Sequence, residues 1–272
     1  MLQISQLFIY PIKSLAGIAI PTAEITHTGF KHDRRWMLVD EQNLFLSQRT
    51  HPQMALLQPA ETEKGITVTH KQNPSQSLII PFANEQSKKI KVTVWDDVCD
   101  AIEAGPLHNE WFSHMLQINC KLVYMPNDTK RLVDKKYAAN NEVTSFSDGY
   151  PILMIGQSSL DNLNEKLADP LPINRFRPNI VFTGGHAFIE DEIAAFTINE
   201  INFFGVKPCA RCVMTTINQQ TAQKSKEPLK TLATYRMKNN KIYFGQNILQ
   251  QQNGFINAGD EIKITLQQEP FI

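Results

Sequence analysis

Ile90–Lys–Val–Thr–Val–Trp95 places Ile90, Val92 and Val94 at every second position, alternating with Lys91, Thr93 and Trp95. A period of two puts the apolar set on one face of a pleated strand, whereas a helix would spread it around the axis. Upstream, Ile66 and Val68 repeat the pattern between Gly65 and the turn-prone Gln72–Asn73–Pro74. Trp36–Val39, the polar run Asp40–Glu41–Gln42–Asn43 and Leu44–Leu46 read as a hairpin. Downstream, Lys241–Phe244 and the alternating Ile262, Ile264 and Leu266 return to strand. The unbroken apolar stretches Ser77–Phe82 and Pro151–Gly156 suit buried strands. Short strands with turn signals between them predict a barrel or sandwich, not a βαβ array.

Two segments carry the helical period. In Pro106–Gln117, Leu107, Trp111 and Met115 fall at i, i+4 and i+8, with Pro106 fit to open the first turn. In the second, Ser158 and Asp161 form a capping-box-like start, Leu160, Leu163 and Leu167 form the apolar stripe, and Asp169–Pro170 ends it. Between them, Asn127–Asp148 reads as a polar loop, and Glu190–Asp–Glu192 as a solvated loop or a pocket border. A boundary near residue 120 divides the chain into residues 1–120 and 121–272. No internal repeat and no low-complexity segment is visible.

Composition narrows the function classes. A chain of 272 residues buries roughly 75% of the surface its unfolded form exposes, so the core needs no staples. With 27 basic and 27 acidic residues the net charge is zero, which argues against nucleic-acid binding. At 42% hydrophobic residues the chain is not disordered. No apolar run approaches the roughly 20 residues of a membrane span, and Met1–Tyr10 lacks a signal-peptide pattern. Four scattered cysteines make no secreted disulfide framework. The expectation is a soluble cytoplasmic protein.

Three segments carry candidate chemistry. Cys209–Ala–Arg–Cys212 has four readings: half a zinc site, a redox dithiol, one thiolate ligand for a soft transition metal with Arg211 favouring ionised sulfur, or two cysteines packed as small hydrophobes. Cys99 and Cys120 are too distant in sequence to supply evident zinc partners, and the pair runs into a β-branched stretch unlike a thioredoxin-type unit. In Asn174–Arg–Phe–Arg–Pro–Asn–Ile–Val181, two arginines bracket an aromatic residue, either as anion-binding forks or as a surface pair at a strand entrance. At the N-terminus, Tyr10–Pro–Ile–Lys–Ser14, His32–Asp–Arg–Arg–Trp36 and Ser47–Gln–Arg49 put Lys13, Arg34 and Arg49 in or beside turns, where they either converge on one anion or stand as solvated charges. Walker and dinucleotide-binding glycine loops are absent, as are GxSxG, HExxH and EF-hand patterns. His27, His51, His70 and His186 lack partners at ligand spacing and read as structural.

Together these segments resemble the MOSC superfamily, the molybdenum-cofactor sulfurase C-terminal domains, preceded by the associated N-terminal β-barrel domain. The resemblance is to the branch of the mitochondrial amidoxime-reducing component and its bacterial relatives, and it covers nearly the whole chain. It is carried by Tyr10–Pro–Ile–Lys–Ser14, Asp33–Arg34 with Trp36, Arg49, Phe176–Arg–Pro–Asn–Ile–Val181 and Cys209–Ala–Arg–Cys212–Val–Met–Thr–Thr216. Lys226–Glu–Pro–Leu229, Tyr235–Arg236, Phe244–Gly–Gln–Asn247 and Gly259–Asp260 extend it.

The resemblance implies an α+β, β-rich fold: an N-terminal barrel-like domain and a C-terminal MOSC barrel with a few helices. It also implies a molybdenum cofactor, molybdopterin-bound, between the two parts. Cys212 is then the thiolate ligand to molybdenum and the catalytic residue. Lys13, Ser14, Arg34, Arg49 and Arg177 hold the pterin and its phosphate, with Asn179 and Thr215 as close neighbours. The implied activity is reduction of N-hydroxylated compounds. The alternatives are a cofactor carrier or store, or a persulfide-carrying sulfur-transfer protein. No plant-type ferredoxin cysteine run is present, so no on-board iron–sulfur cluster is expected. Electrons are expected from a separate flavin reductase or a small iron–sulfur or haem carrier. One departure from the family stands at Ile193, where a tryptophan is usual after the acidic pair.

Overall fold

A computed structural model describes residues 1–82, 89–138 and 140–272. Its larger part is a barrel of seven strands: β1 (Leu2–Ile9), β2 (Ile152–Gly156), β3 (Ile180–Thr183), β4 (Ile193–Ile198), β5 (Ile201–Arg211), β6 (Lys241–Gln250) and β7 (Glu261–Gln267). Around the ring the order is β2-β3-β1-β7-β4-β5-β6, and β6 pairs back onto β2. Closure leaves none of the seven with an unpaired edge. Only β2 and β3 run parallel, with Met154 opposite Ile180. A parallel pair cannot be joined by a hairpin; here helix α2 (Gln157–Asn164) lies on the crossover.

In β1 the buried positions are Leu2 and Ile4, then Leu7 and Ile9. A register shift between Ile4 and Gln6 accounts for this change of parity, because one extra residue re-aims every side chain beyond it. Phe196 and Phe203 stack at 5.1 Å in the same core, among Met154, Ile180, Phe182 and Ile248.

The smaller part has two antiparallel sheets and helix α1 (Pro106–Leu116). One sheet orders Trp36–Val39, Lys121–Tyr124, Asp97–Glu103 and Lys89–Val94; the other orders Leu57–Thr62, Gly65–His70 and Asn73–Pro81. Val92 and Val94 are buried, as the alternating stretch requires. The halves of the chain interlock across residue 120. β1 completes a barrel otherwise built after residue 150, Thr22–Thr26 pairs with Gly254–Asn257, and Lys121–Tyr124 lies inside the first-half sheet.

Several local expectations change. Phe112 and Leu116 are the buried residues of α1, and Trp111 and Met115 pack half-buried against the same core, but Leu107 is 68% exposed. α2 starts from Gly156, and Ser158 does not cap it; the Ser158 hydroxyl donates to the His186 carbonyl instead. Among its described residues, Asn127–Asp148 is mostly turn, bend and irregular chain, as its polarity suggests, but it is pinned from within. It holds a short ladder, Arg131–Leu132 with Val143–Thr144, and buried Arg131 donates to the Ser145 and Ser147 carbonyls and pairs with Asp97. Glu190 and Asp191 are buried too. Ser159 and the Gly156 amide donate to Glu190, and Arg236 pairs with Asp191, so protein groups replace water around both carboxylates.

Candidate functional site

A cleft opens at the barrel rim where the smaller part meets it. Lys13, Ser14, Arg34, Arg177, Asn179, Cys212 and Thr215 all line it. Arg49 stands at its edge, bonded to Asp148 and electrostatically coupled to Cys212. The cleft thus brings together residues from Lys13 to Thr215 that the resemblance assigns to one cofactor site, with Arg49 beside it.

Turns do the positioning. Lys13 and Ser14 follow β1, where the Lys13 amide bonds the Trp36 carbonyl. The Arg34 amide bonds the Tyr10 carbonyl, fixing the second turn against the first. Ser14, Arg34 and Arg177 have φ of 67°, 50° and 56°. Three side-chain-bearing residues in the left-handed region at one cleft mark backbone held in place by its surroundings. Asn179 laces the rim: its Oδ1 accepts from Arg34 at 3.0 Å and from the Leu153 amide at 3.2 Å, and its Nδ2 donates to the Phe8 carbonyl.

The lining holds five cations, Lys13, Arg34, Arg175, Arg177 and Arg211, and one carboxylate, Asp148. Lys13 and Arg49 bind that carboxylate at 2.6 and 3.2 Å. These charges hold Asp148 well below the usual carboxylate range. Arg34 pairs with the buried Asp33 at 2.6 Å. Arg177 differs. It is buried, donates to the Leu15 carbonyl at 2.6 Å and lies 4.2 Å over the Tyr10 ring. Among the described residues it forms no ion pair, and burial lowers its pKa to about 10. Tyr10 stays neutral between Arg34 and Arg177, its pKa pushed up to about 12 by burial, and donates to the Pro178 carbonyl.

Cys212 ends the extended run from β5 and leads into a single 3-10 turn, Val213–Thr216. The Thr215 amide and hydroxyl both donate to the Cys212 carbonyl, at 3.2 and 3.0 Å. Thr215 therefore fixes the backbone that carries the thiol. Cys209 receives Arg211 Nη1 at 2.9 Å, and Arg211 also donates to the Phe176 carbonyl at 2.5 Å. Cys99 and Cys120 are buried elsewhere. Among the described residues no cluster of three His, Cys, Asp or Glu side chains is present.

The donor set fits an anionic cofactor with a soft metal. A buried guanidinium without an ion pair suits phosphate, a half-exposed thiol suits the metal, and two lining groups, Tyr150 Oη and Arg211 Nε, find no hydrogen-bond partner among the described residues. Asp148, Tyr10 and Arg175 were not singled out as site residues in the sequence. Asp148 closes a segment that reads as loop, Tyr10 reads as a strand end, and Arg175 was visible only as one arm of the bracketing pair.

The MOSC N-terminal beta barrel domain family matches residues 1–119, and the MOSC domain family matches residues 141–263. The chain is a MOSC-domain protein. Among relatives of this MOSC protein, mitochondrial amidoxime-reducing component 1 of Xenopus laevis is 29% identical, over 95% of this chain and 81% of that protein. The human protein of the same name is 28% identical, over 95% and 82%. Molybdenum cofactor sulfurase of Arabidopsis thaliana is 28% identical over 93% of this chain but only 34% of its own length. Among the described residues of the MOSC protein, no helix is long and apolar enough to cross a membrane.

Proposed function

We propose that the cleft holds a molybdenum cofactor and that the protein reduces N-hydroxylated compounds. The N–O bond is cleaved with two electrons and two protons, giving the amine or amidine and water. The observation that carries this reading is Arg177, a buried cation that has no carboxylate partner among the described residues, in one cleft with the Cys212 thiol. Cys212 would hold the metal; Arg177, Arg34 and Lys13 would hold the phosphate and pterin, with Ser14, Arg49, Asn179 and Thr215 beside them. When bound, the cofactor supplies the two-electron chemistry. Asp148 is held ionised, so at neutral pH it orients Lys13 and Arg49 and does not donate a proton. Electrons come from a separate flavin reductase or small iron–sulfur or haem carrier, and the setting is cytoplasmic.

The test is an anaerobic assay with a reduced viologen and N-hydroxybenzamidine, alongside metal and pterin analysis of the purified protein. Turnover that disappears in Cys212→Ala, together with bound molybdenum, is expected. Cofactor-loaded protein without turnover, or full activity in Cys212→Ala, overturns it. The match to a molybdenum cofactor sulfurase favours a second reading, a carrier or sulfur-transfer role. Pterin transfer to an apo-enzyme, or a persulfide on Cys212 detected by mass, without reductase activity, selects it.

A further inference from the structure

Trp95 stands at the tip of the hairpin made by Lys89–Val94 and Asp97–Glu103. Val94 pairs with Asp97, so Trp95 and Asp96 are the whole turn. A turn this short favours glycine, asparagine or aspartate where φ is positive. Here a tryptophan takes φ of 57°. Its hydrogen bond reaches a residue that lines the cleft. The indole Nε1 donates to Asp148 at 3.2 Å, the Arg49 guanidinium lies 4.5 Å over the ring, and Phe45 meets it at 5.0 Å. Arg49 in turn bonds Asp148, so the indole and the guanidinium meet on one cleft-lining carboxylate. Yet Trp95 remains 43% exposed, unlike the buried Trp36. A strained residue tied to the cleft on one side and bare on the other offers an aromatic surface at the entrance.

We propose that Trp95 is the substrate platform of this site, and that it selects planar, conjugated N-hydroxylated compounds, such as aromatic amidoximes, over aliphatic ones. The inference rests on the reductase reading above. Arg49 occupies one region of the indole and the exposed remainder receives the flat substrate by stacking. The Asp148 bond holds the indole in place for this. Trp95 is thus a specificity residue; the N–O chemistry does not depend on it.

The experiment compares Trp95→Ala and Trp95→Phe with the wild type, using reduced viologen and either N-hydroxybenzamidine or acetamidoxime. Loss of one stacking contact predicts about a tenfold rise in KM for N-hydroxybenzamidine in Trp95→Ala, with a much smaller change in kcat. KM for acetamidoxime should rise far less, and Trp95→Phe should recover most of the preference. N-hydroxybenzamidine should also change the intrinsic tryptophan fluorescence of the wild type, a change missing in Trp95→Phe. Equal losses on both substrates, or a fall in kcat with KM unmoved, overturn the proposal. Failure of the wild type to reduce either compound overturns the reductase reading instead. Ligand-induced fluorescence at Trp95 is measured without turnover and keeps the two failures apart.

Discussion

Burying a cation without an acid beside it costs several kcal/mol, which the fold recovers only when an anion arrives. Arg177 is such a cation. Arg177→Met should therefore leave the stability of the cofactor-free protein unchanged or raise it by about 1 kcal/mol in urea denaturation, while the pterin and molybdenum content of the purified protein falls. Glu190 shows the opposite chemistry. Burial pushes its pKa up to about 7, and Ser159 and the Gly156 amide offset only part of that cost. The unfolded chain releases this proton near pH 4.5, so stability falls as pH rises from there to about 7 and is then level. The cost at pH 8 is at most about 3 kcal/mol. Glu190→Gln should accordingly stabilise the protein at pH 8 and lose that advantage by pH 4.5, measured by urea unfolding at both values. Asp191 beside it is buried with Arg236, so reading this stretch as solvated failed at both carboxylates. Three acids in a row look like a solvated face, and nothing local reveals that Ser159 and Arg236 come to meet two of them.

At the scale of elements, the rim of the barrel shows how one side chain can serve fold and site together. Asn179 ties β1, β2 and the Arg34 turn through the Phe8 carbonyl, the Leu153 amide and the Arg34 guanidinium. Asn179→Ala leaves two buried donors and one acceptor without that partner, predicting a loss of about 1–3 kcal/mol in chemical denaturation. Asn179→Asp keeps an acceptor toward Arg34 but adds a negative charge to the cleft lining, and should lose more binding of the anionic group than Asn179→Ala. Strand elements were legible wherever residues alternated, at Lys89–Val94 and in β7. In α1 the period finds Trp111 and Met115, which pack on the core, but misses the fully buried Phe112 and Leu116 and includes the exposed Leu107. Periodicity locates a helix; the neighbouring strand decides which side it presents. Within Asn127–Asp148, a loop as its polarity suggests, the buried Arg131 was illegible for a different reason. The order of the loop comes from Arg131 reaching the Ser145 and Ser147 carbonyls, a contact that has no sequence period.

For the whole molecule, the pairing of β1 with β3 and β7 means that the barrel cannot close without residues 2–9. A fragment of residues 121–272 exposes the edges of β3 and β7, and open edges promote association. It should be insoluble or oligomeric by size-exclusion chromatography, and co-expression of residues 1–120 should restore a soluble complex. Many of the contacts join positions distant in sequence, such as Leu2 with Ile262, and such topology folds slowly. The zero net charge also resolves at this scale: it conceals a cleft with five lining cations against one carboxylate. By itself the sequence determined the β-rich class, the identity of the candidate residues and the local pattern of most strands, because these depend on residue type and short spacings. Only the tertiary structure decided that Lys13, Arg34, Arg177 and Cys212 share one cleft, that Asp148 and Tyr10 belong with them, and that Arg177 is left without an acid. Those facts follow from barrel closure, which brings the first strand of the chain against strands that begin more than 170 residues later.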